Sequence, residues 1–427
     1  MAARRALLLI LLGVSLMAAV MLVLPSAQAQ DDNGIFTIQE TTFESHFPHG
    51  MTFIVRATSS VGEITRATLF YTLRTGMQER FNATFDTETA TWVAAPYTPD
   101  GGLGPWVDFE YTWLLRDAAG NSFETEAQYA VYADHQRFWH HEESDALSLY
   151  WYGELPDLGE QATEAMATMR PFFEQGWGRL LSYKPLVIVY PAGGLWDEYV
   201  QMGDIGAGFA DWDRGYTIIT MYDHRTPAYH ASLRDLCGGY YTGTVANNAW
   251  EWHVQSTLSN IIHEIVHMYQ RDFHTRGPAW WIEGQAQYFP VLALGWSPWN
   301  ADSRLHSYAL QGYSLATLQG EVGGRTSTAP DGCAGLDYAL GDSFLRWLLT
   351  TYDGLDTHRA IIENMPGNGL HTAIEIATGV PFIELENQWR AMLGLEPVSV
   401  IATVTPFILP TAPMPTFPTT QPATGSS

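Results

Sequence analysis

NIIHEIVHMYQ, residues 260–270, sets His263 and His267 four positions apart, with Glu264 directly after the first. On an α-helix, residues i and i+4 share a face about one turn apart. Both imidazoles can then reach one metal ion at about 2.0–2.1 Å. Glu264 is rotated off that pair by one residue, which puts its carboxylate beside the metal, where a base for a bound water belongs. Ile261, Ile262, Ile265 and Val266 surround the pair with apolar packing, and a dry shell strengthens the electrostatics of such a site. Alone, the pair also fits a polar patch on a helix, because two histidines lack a third ligand.

The residues downstream of the pair decide between these readings. The metzincin pattern, with a third histidine further along the same segment, would need Gly at 270 and His at 273, but the chain has Gln270 and Phe273, with His274 one residue out of place. The next apolar segment, WWIEGQAQY (280–288), holds a single carboxylate, Glu283, among Trp280, Trp281, Ile282 and Gly284. A carboxylate in such surroundings needs a partner. Gly284 removes a side chain and is expected to let this helix approach the first one closely. The short link HTRGP (274–278) allows the two helices to pack as antiparallel neighbours. Glu283 projected onto the histidine pair makes three protein ligands and leaves a fourth position open, the pattern of a catalytic rather than a structural zinc. Gln287, one turn beyond Glu283, is a candidate to hold a ligand imidazole, or a surface glutamine.

HEIVHMYQ followed by PAWWIEGQAQY resembles the gluzincin metallopeptidases, and most closely the bacterial peptidase MA-like domain. The hallmark is HExxH followed by W-x-x-E-G-x-A, here Trp280 to Ala286. The resemblance covers roughly residues 145–393, including YALGDSFLRWLL after the site. It implies one zinc per chain on His263, His267 and Glu283, with Glu264 as general base and acid in peptide-bond hydrolysis. It also implies a small sheet on the site helix whose edge strand holds extended substrate, with YTIITMY (216–222) as the candidate edge. Members usually add a Tyr or His that donates to the oxyanion. Tyr338, opening a helix after the site, is the expected donor here, with His306, Tyr308 and Tyr313 as competitors. The sequence has no GxMEN-type segment, which leans against an aminopeptidase.

The rest of the chain gives the organisation. Residues 1–29 read as a signal peptide: Arg4 and Arg5, an apolar run from Ala6 to Leu24, and a small-x-small site at Ala27-Gln28-Ala29. The run is also nearly long enough for an uncleaved membrane anchor. Both readings put the bulk of the chain outside the cytoplasm, secreted or extracytoplasmic. Residues 30–135 show strand alternation, with Phe109, Tyr111, Trp113 and Leu115 on one face and a hairpin turn at Gly120-Asn121. This predicts an all-β sandwich of immunoglobulin or fibronectin III type, without chemistry of its own. RFWHHEESD (137–145) reads as a solvated linker, because adjacent residues of an extended chain point to opposite faces. Residues 145–395 carry strands and then helices, an α+β domain with a helical C-terminal part. GDIGAGFADWD (203–213) lacks a phosphate-binding pattern and reads as a loop. Residues 400–427 are Pro/Thr-rich, nearly uncharged and expected to stay disordered.

Composition narrows the partners. The chain of 427 residues is 46% hydrophobic, enough for the cores of two or three domains. Its net charge of −25 repels phosphate backbones, so nucleic acid is excluded as a partner, and a membrane enters only through an uncleaved N-terminal anchor. The expected partner is a peptide or protein substrate. Cys237 and Cys333 are the only cysteines, and outside the cytoplasm such a pair is expected to form a disulfide. Two functions stay open: an exported zinc-dependent peptidase, or an extracellular or cell-surface binding protein that keeps a zinc-peptidase fold without significant turnover.

Overall fold

The protein is described by a computed structural model, which places residues 34–96, 102–153, 155, 157–191, 208–220, 249–295, 314–316 and 336–398. The predicted signal peptide, the Cys237–Cys333 pair, the C-terminal tail and the competitors His306, Tyr308 and Tyr313 lie outside these residues. Among the described residues no helix is long and apolar enough to cross a membrane.

Two antiparallel sheets form the N-terminal body. One orders β1 (Phe36–Ser45), β2 (Met51–Ser59), β6 (Thr91–Ala94) and β5 (Thr84–Asp86). The other orders β4 (Gln78–Asn82), β3 (Ile64–Leu73), β7 (Val107–Asp117) and β8 (Ser122–Glu124), with β9 (Gln128–Tyr132) also on β7. β7 shows why: Val107, Phe109, Tyr111, Trp113 and Leu115 alternate inward with half-buried or exposed residues. Trp113 and Leu115 are fully buried, and Phe53 from the first sheet packs on Phe109 and Tyr111.

A third, mixed sheet comes next, in the order β10 (His140–Glu143), β11 (Ser148–Trp151), β12 (Leu186–Tyr190), β14 (Tyr216–Thr220) and β13 (Gly208–Asp211). The three inner strands are parallel, and the two outer ones antiparallel to their neighbours. Every residue of β12 is buried, as expected of a parallel strand covered on both faces. Leu186, Ile188 and Tyr190 join the core of the N-terminal sheets, while Val187 and Val189 join the core of the helices. The third sheet is therefore the wall shared by two cores.

Two expectations change here. Residues 140–143 are not linker: they pair in register with β11, because His140 stacks on Trp151 and His141 on Tyr150. The outer strand on the helix side is not YTIITMY. β14 lies inside the sheet, and the Gly-rich segment read as a loop supplies β13 outside it.

Seven helices complete the described fold: α1 (Leu158–Trp177), α2 (Ala249–Asp272), α3 (Ala279–Leu294), α4 (Leu336–Thr351), α5 (Gly354–Asn364), α6 (Leu370–Thr378) and α7 (Phe382–Met392). α1 runs through Pro171 without a break. α2 packs on β13 and β14, and α3 lies against α1, α2 and α4. The glycine of α3 acts at a different contact from the one expected. A Cβ on Gly284 would stand 2.5 Å from the Gly341 carbonyl carbon, so the close approach it permits is that of α4, not α2. Gly341 is tighter still, its missing Cβ falling 1.8 Å from the Trp280 carbonyl oxygen.

The N-terminal body also braces the site. Thr75 Oγ1 donates to Asp213 O at 2.7 Å and Arg74 Nη1 to Lys184 O at 2.9 Å. Asp213 sits in the β13–β14 turn and accepts from Arg271 of α2 at 2.8 and 3.0 Å. One turn thus links the N-terminal sheets, the outer strand and the end of the site helix.

Candidate metal centre

α2 presents His263 and His267 on one face because they are one turn apart. Ile261, Ile262, Ile265 and Val266 are buried around them, which fixes the helix's rotation. α3 brings Glu283 to the same place. All three residues are buried, at 7%, 8% and 6% exposure, in a protein where charged groups mostly stay on the surface.

Their ligand atoms form a nearly equilateral triangle. His263 Nε2 and His267 Nε2 are 3.2 Å apart, and Glu283 Oε2 lies 3.4 Å from the first and 3.5 Å from the second. A tetrahedral ion with bonds of about 2.0–2.1 Å spaces its ligand atoms about 3.3–3.4 Å apart. The sides of the triangle fall around that value.

A hydrogen-bonded chain sets which atoms face the triangle. His358 Nδ1 donates to Gly176 O at 2.8 Å, so its neutral ring accepts at Nε2 from Gln285 Nε2 at 2.9 Å. Gln285 Oε1 accepts from Gln270 Nε2 at 2.9 Å, and the same amide donates to Ile282 O at 2.7 Å. Gln270 Oε1 is left to accept from His267 Nδ1 at 2.7 Å. Backbone carbonyls only accept, so the anchors dictate the direction of the chain. With Nδ1 so engaged, Nε2 is the His267 nitrogen that faces the triangle. Gln270, Gln285 and His358 are all buried, at 4%, 0% and 0% exposure. The glutamine that holds the imidazole is therefore Gln270, not Gln287. The sequence carried a signal for it: a polar residue at i+3 from His267 on a face otherwise apolar.

Electrostatics fit a bound cation. Among the described residues Glu283 Oε2 is buried without a hydrogen-bond partner, which leaves an anionic acceptor beside two imidazole nitrogens. Burial pushes the Glu283 carboxyl up, but His267 and His263 outweigh it and hold it well below the usual carboxylate range. Burial likewise opposes charge on His267, yet Glu283 and its other partners push the imidazole up to about 9. A proton thus takes the cation's place in the metal-free chain. The donor set, two imidazoles and one carboxylate, suits zinc.

Glu264 is 7% exposed, and burial raises its carboxyl above the ordinary value against the opposing pull of His263 and His267. It lies against the outer strand: a Cβ on Gly208 would stand 2.4 Å from Glu264 Oε1 and 2.8 Å from its Cγ. Only glycine at 208 leaves room for the carboxylate. Tyr338 of α4 also reaches the site, its ring 5.9 Å from that of His263 and within 14° of parallel. The Gly284–Gly341 contact explains this approach, since Tyr338 is one turn before Gly341 on α4.

No protein-family model matches the chain, and no curated protein matches it. Solved structures include weak neighbours. An M1 zinc metallopeptidase from Deinococcus radiodurans is 11% identical over 84% of this chain and 94% of that one, at a TM-score of 0.34. Legionella pneumophila aminopeptidase A is 10% identical over 85% of this chain and 50% of that one, at 0.31. A carbohydrate-binding module family 56 β-1,3-glucan binding domain is 16% identical over 22% of this chain and 96% of that one, at 0.17. Zinc metallopeptidases are thus weak structural neighbours of most of the chain, and such low scores carry no functional argument. The side chains at the site carry it.

Proposed function

We propose that this protein is an exported zinc-dependent peptidase of gluzincin type, related to the peptidase MA-like domain. One observation carries the proposal: three buried ligand atoms, spaced 3.2–3.5 Å apart, with His267 Nδ1 committed to Gln270 so that Nε2 faces the other two. His263, His267 and Glu283 would hold one zinc ion. Three protein ligands leave one tetrahedral position for a water or substrate oxygen. When bound, zinc supplies Lewis acidity and an acidified water.

The chain's own residues do the rest. Glu264, held against β13, takes a proton from the attacking water on its carboxylate and passes it to the leaving amine. Its raised pKa brings it closer to the range where acceptance and donation both proceed. Tyr338 is the proposed oxyanion donor, and its loss should cost about 10²–10³ in turnover with zinc content unchanged. The outer side of β13, unpaired among the described residues, offers backbone groups to an extended peptide. Export rests on residues 1–29, and sequencing of the mature N-terminus should find Gln30 first.

Purified protein, with and without chelator, compared with Glu264→Gln on a mixed peptide library, tests the mechanism. The expected result is chelator-sensitive cleavage by the wild type and a variant that keeps one zinc but loses about 10²–10⁴ in rate. A variant as fast as the wild type overturns the role of Glu264. Zinc bound without cleavage by either protein favours the alternative, an extracellular binding protein that retains the fold.

A further inference from the structure

A cleft of about 390 Å³ opens beside the metal triangle, reaching His267 and Gln270 at its floor. Trp212 forms one wall, directly after β13, and stays 37% exposed. Residues 274–277, the connection from α2 to α3, form the other. Besides His267, three basic or imidazole side chains line it, Arg271, His274 and Arg276, and among the described residues no carboxylate does. In a chain with 46 acidic and 21 basic residues, such a wall runs against the charge of the whole.

The three are not equivalent. Arg271 is neutralised by Asp213, which accepts from both its Nε and its Nη2. Arg276 is exposed and has no acidic partner among the described residues. His274 stands at the end of α2 with φ of 54°, a left-handed position that costs a side chain about 1–2 kcal/mol. The ends of α1, α3 and α6 give that position to Gly178, Gly295 and Gly379. At α2 alone among these four, an imidazole facing the cleft occupies a place the backbone reserves for glycine.

We propose that Arg276, assisted by His274, makes this cleft a subsite for an acidic side chain next to the scissile bond. This rests on the peptidase reading above. A guanidinium recognises a carboxylate through paired, charge-assisted hydrogen bonds. Trp212 opposite supplies an apolar face for the methylenes of Asp or Glu. The charge of −25 repels an acidic peptide at a distance, so the preference comes from contact in the cleft, inside the screening length of about 8 Å.

The test is a peptide series varied to Glu, Gln or Lys on either side of the cleavage site, assayed for kcat/KM on zinc-loaded full chain. The wild type should prefer Glu over Gln at one position by about 10-fold or more, as for one hydrogen bond to a charged group. Arg276→Ala should erase that preference, lowering kcat/KM for the Glu peptide far more than for the Gln peptide. Arg276→Glu should reverse it in favour of Lys. Cleavage with no preference for Glu, or a preference that survives Arg276→Glu, overturns the proposal and leaves the peptidase reading standing. The converse case is separated by binding of the same fluorescein-labelled peptides to Glu264→Gln protein. Arg276-dependent binding of the Glu peptide without cleavage by the wild type supports the subsite and removes the peptidase reading. Equal binding of all three peptides overturns the subsite.

Discussion

Gln270 accepts the Nδ1 proton of His267 at 2.7 Å, while its own amide nitrogen is taken by Ile282 O and Gln285 Oε1. This fixes the amide's orientation and hence which ring nitrogen of His267 faces His263 and Glu283. Gln270→Met keeps the volume and removes the acceptor. Zinc affinity should fall about 10–100-fold, the usual cost of losing such a support. Competition with a chromogenic chelator measures it, and unchanged affinity would show that His267 needs no such acceptor.

Gly208 and Glu264 share one small space. Gly208→Ala puts a methyl group 2.4 Å from where Oε1 now lies, so the carboxylate must move. A shift of about 1 Å in a reacting group costs about 100-fold in rate. The expected variant keeps its zinc and loses activity to that extent. Metal analysis alongside turnover separates this from loss of the site.

The α3–α4 contact admits no side chain. In Gly341→Ala the new Cβ meets the Trp280 carbonyl oxygen at 1.8 Å, backbone against backbone, so the helices must separate. We expect a loss of about 3 kcal/mol or more in stability, at the upper end for overpacking. Gly62→Ala, where the nearest atom is 3.6 Å away, serves as the control and should stay within about 0.5 kcal/mol. Urea denaturation midpoints decide it.

His358 anchors the far end of the chain that orients His267. Burial lowers its pKa to about 4, against the smaller opposing effect of Gly176 O. The unfolded chain binds this proton from about pH 6.5 downward, the folded chain only near 4, so folded stability falls as pH drops through that window. The full loss is about 3 kcal/mol at 1.36 kcal/mol per unit. The stability difference between wild type and His358→Phe should change by that amount between pH 7 and pH 4, read from denaturant unfolding. A difference independent of pH would mean that His358 titrates alike in both states.

Much of the site was legible because helical periodicity is strict. HEIVH on a helix has to present both histidines together, and a lone carboxylate at Glu283 amid tryptophans needs a partner. The helices between 354 and 392 were legible for the same reason. The outer strand was not. GDIGAGFADWD has the composition of a loop, and its glycine serves the Glu264 carboxylate, a contact 56 positions away along the chain. Residues 140–143 were misread for a related reason: their pairing comes from rings on β11, not from their own alternation.

The amino-acid sequence by itself determined which residues of this protein converge as a His-His-Glu group, since spacing along one helix and a single carboxylate on the next leave few choices. Only the tertiary structure decided what surrounds them. It made Gln270 rather than Gln287 the support of His267, turned Gly284 toward Gly341, and set the N-terminal sheets against the β13–β14 turn through Thr75 and Asp213. The reason is physical. Local periodicity orients a side chain relative to its own helix axis, but which neighbour fills the space beyond is settled by packing between segments distant in the chain.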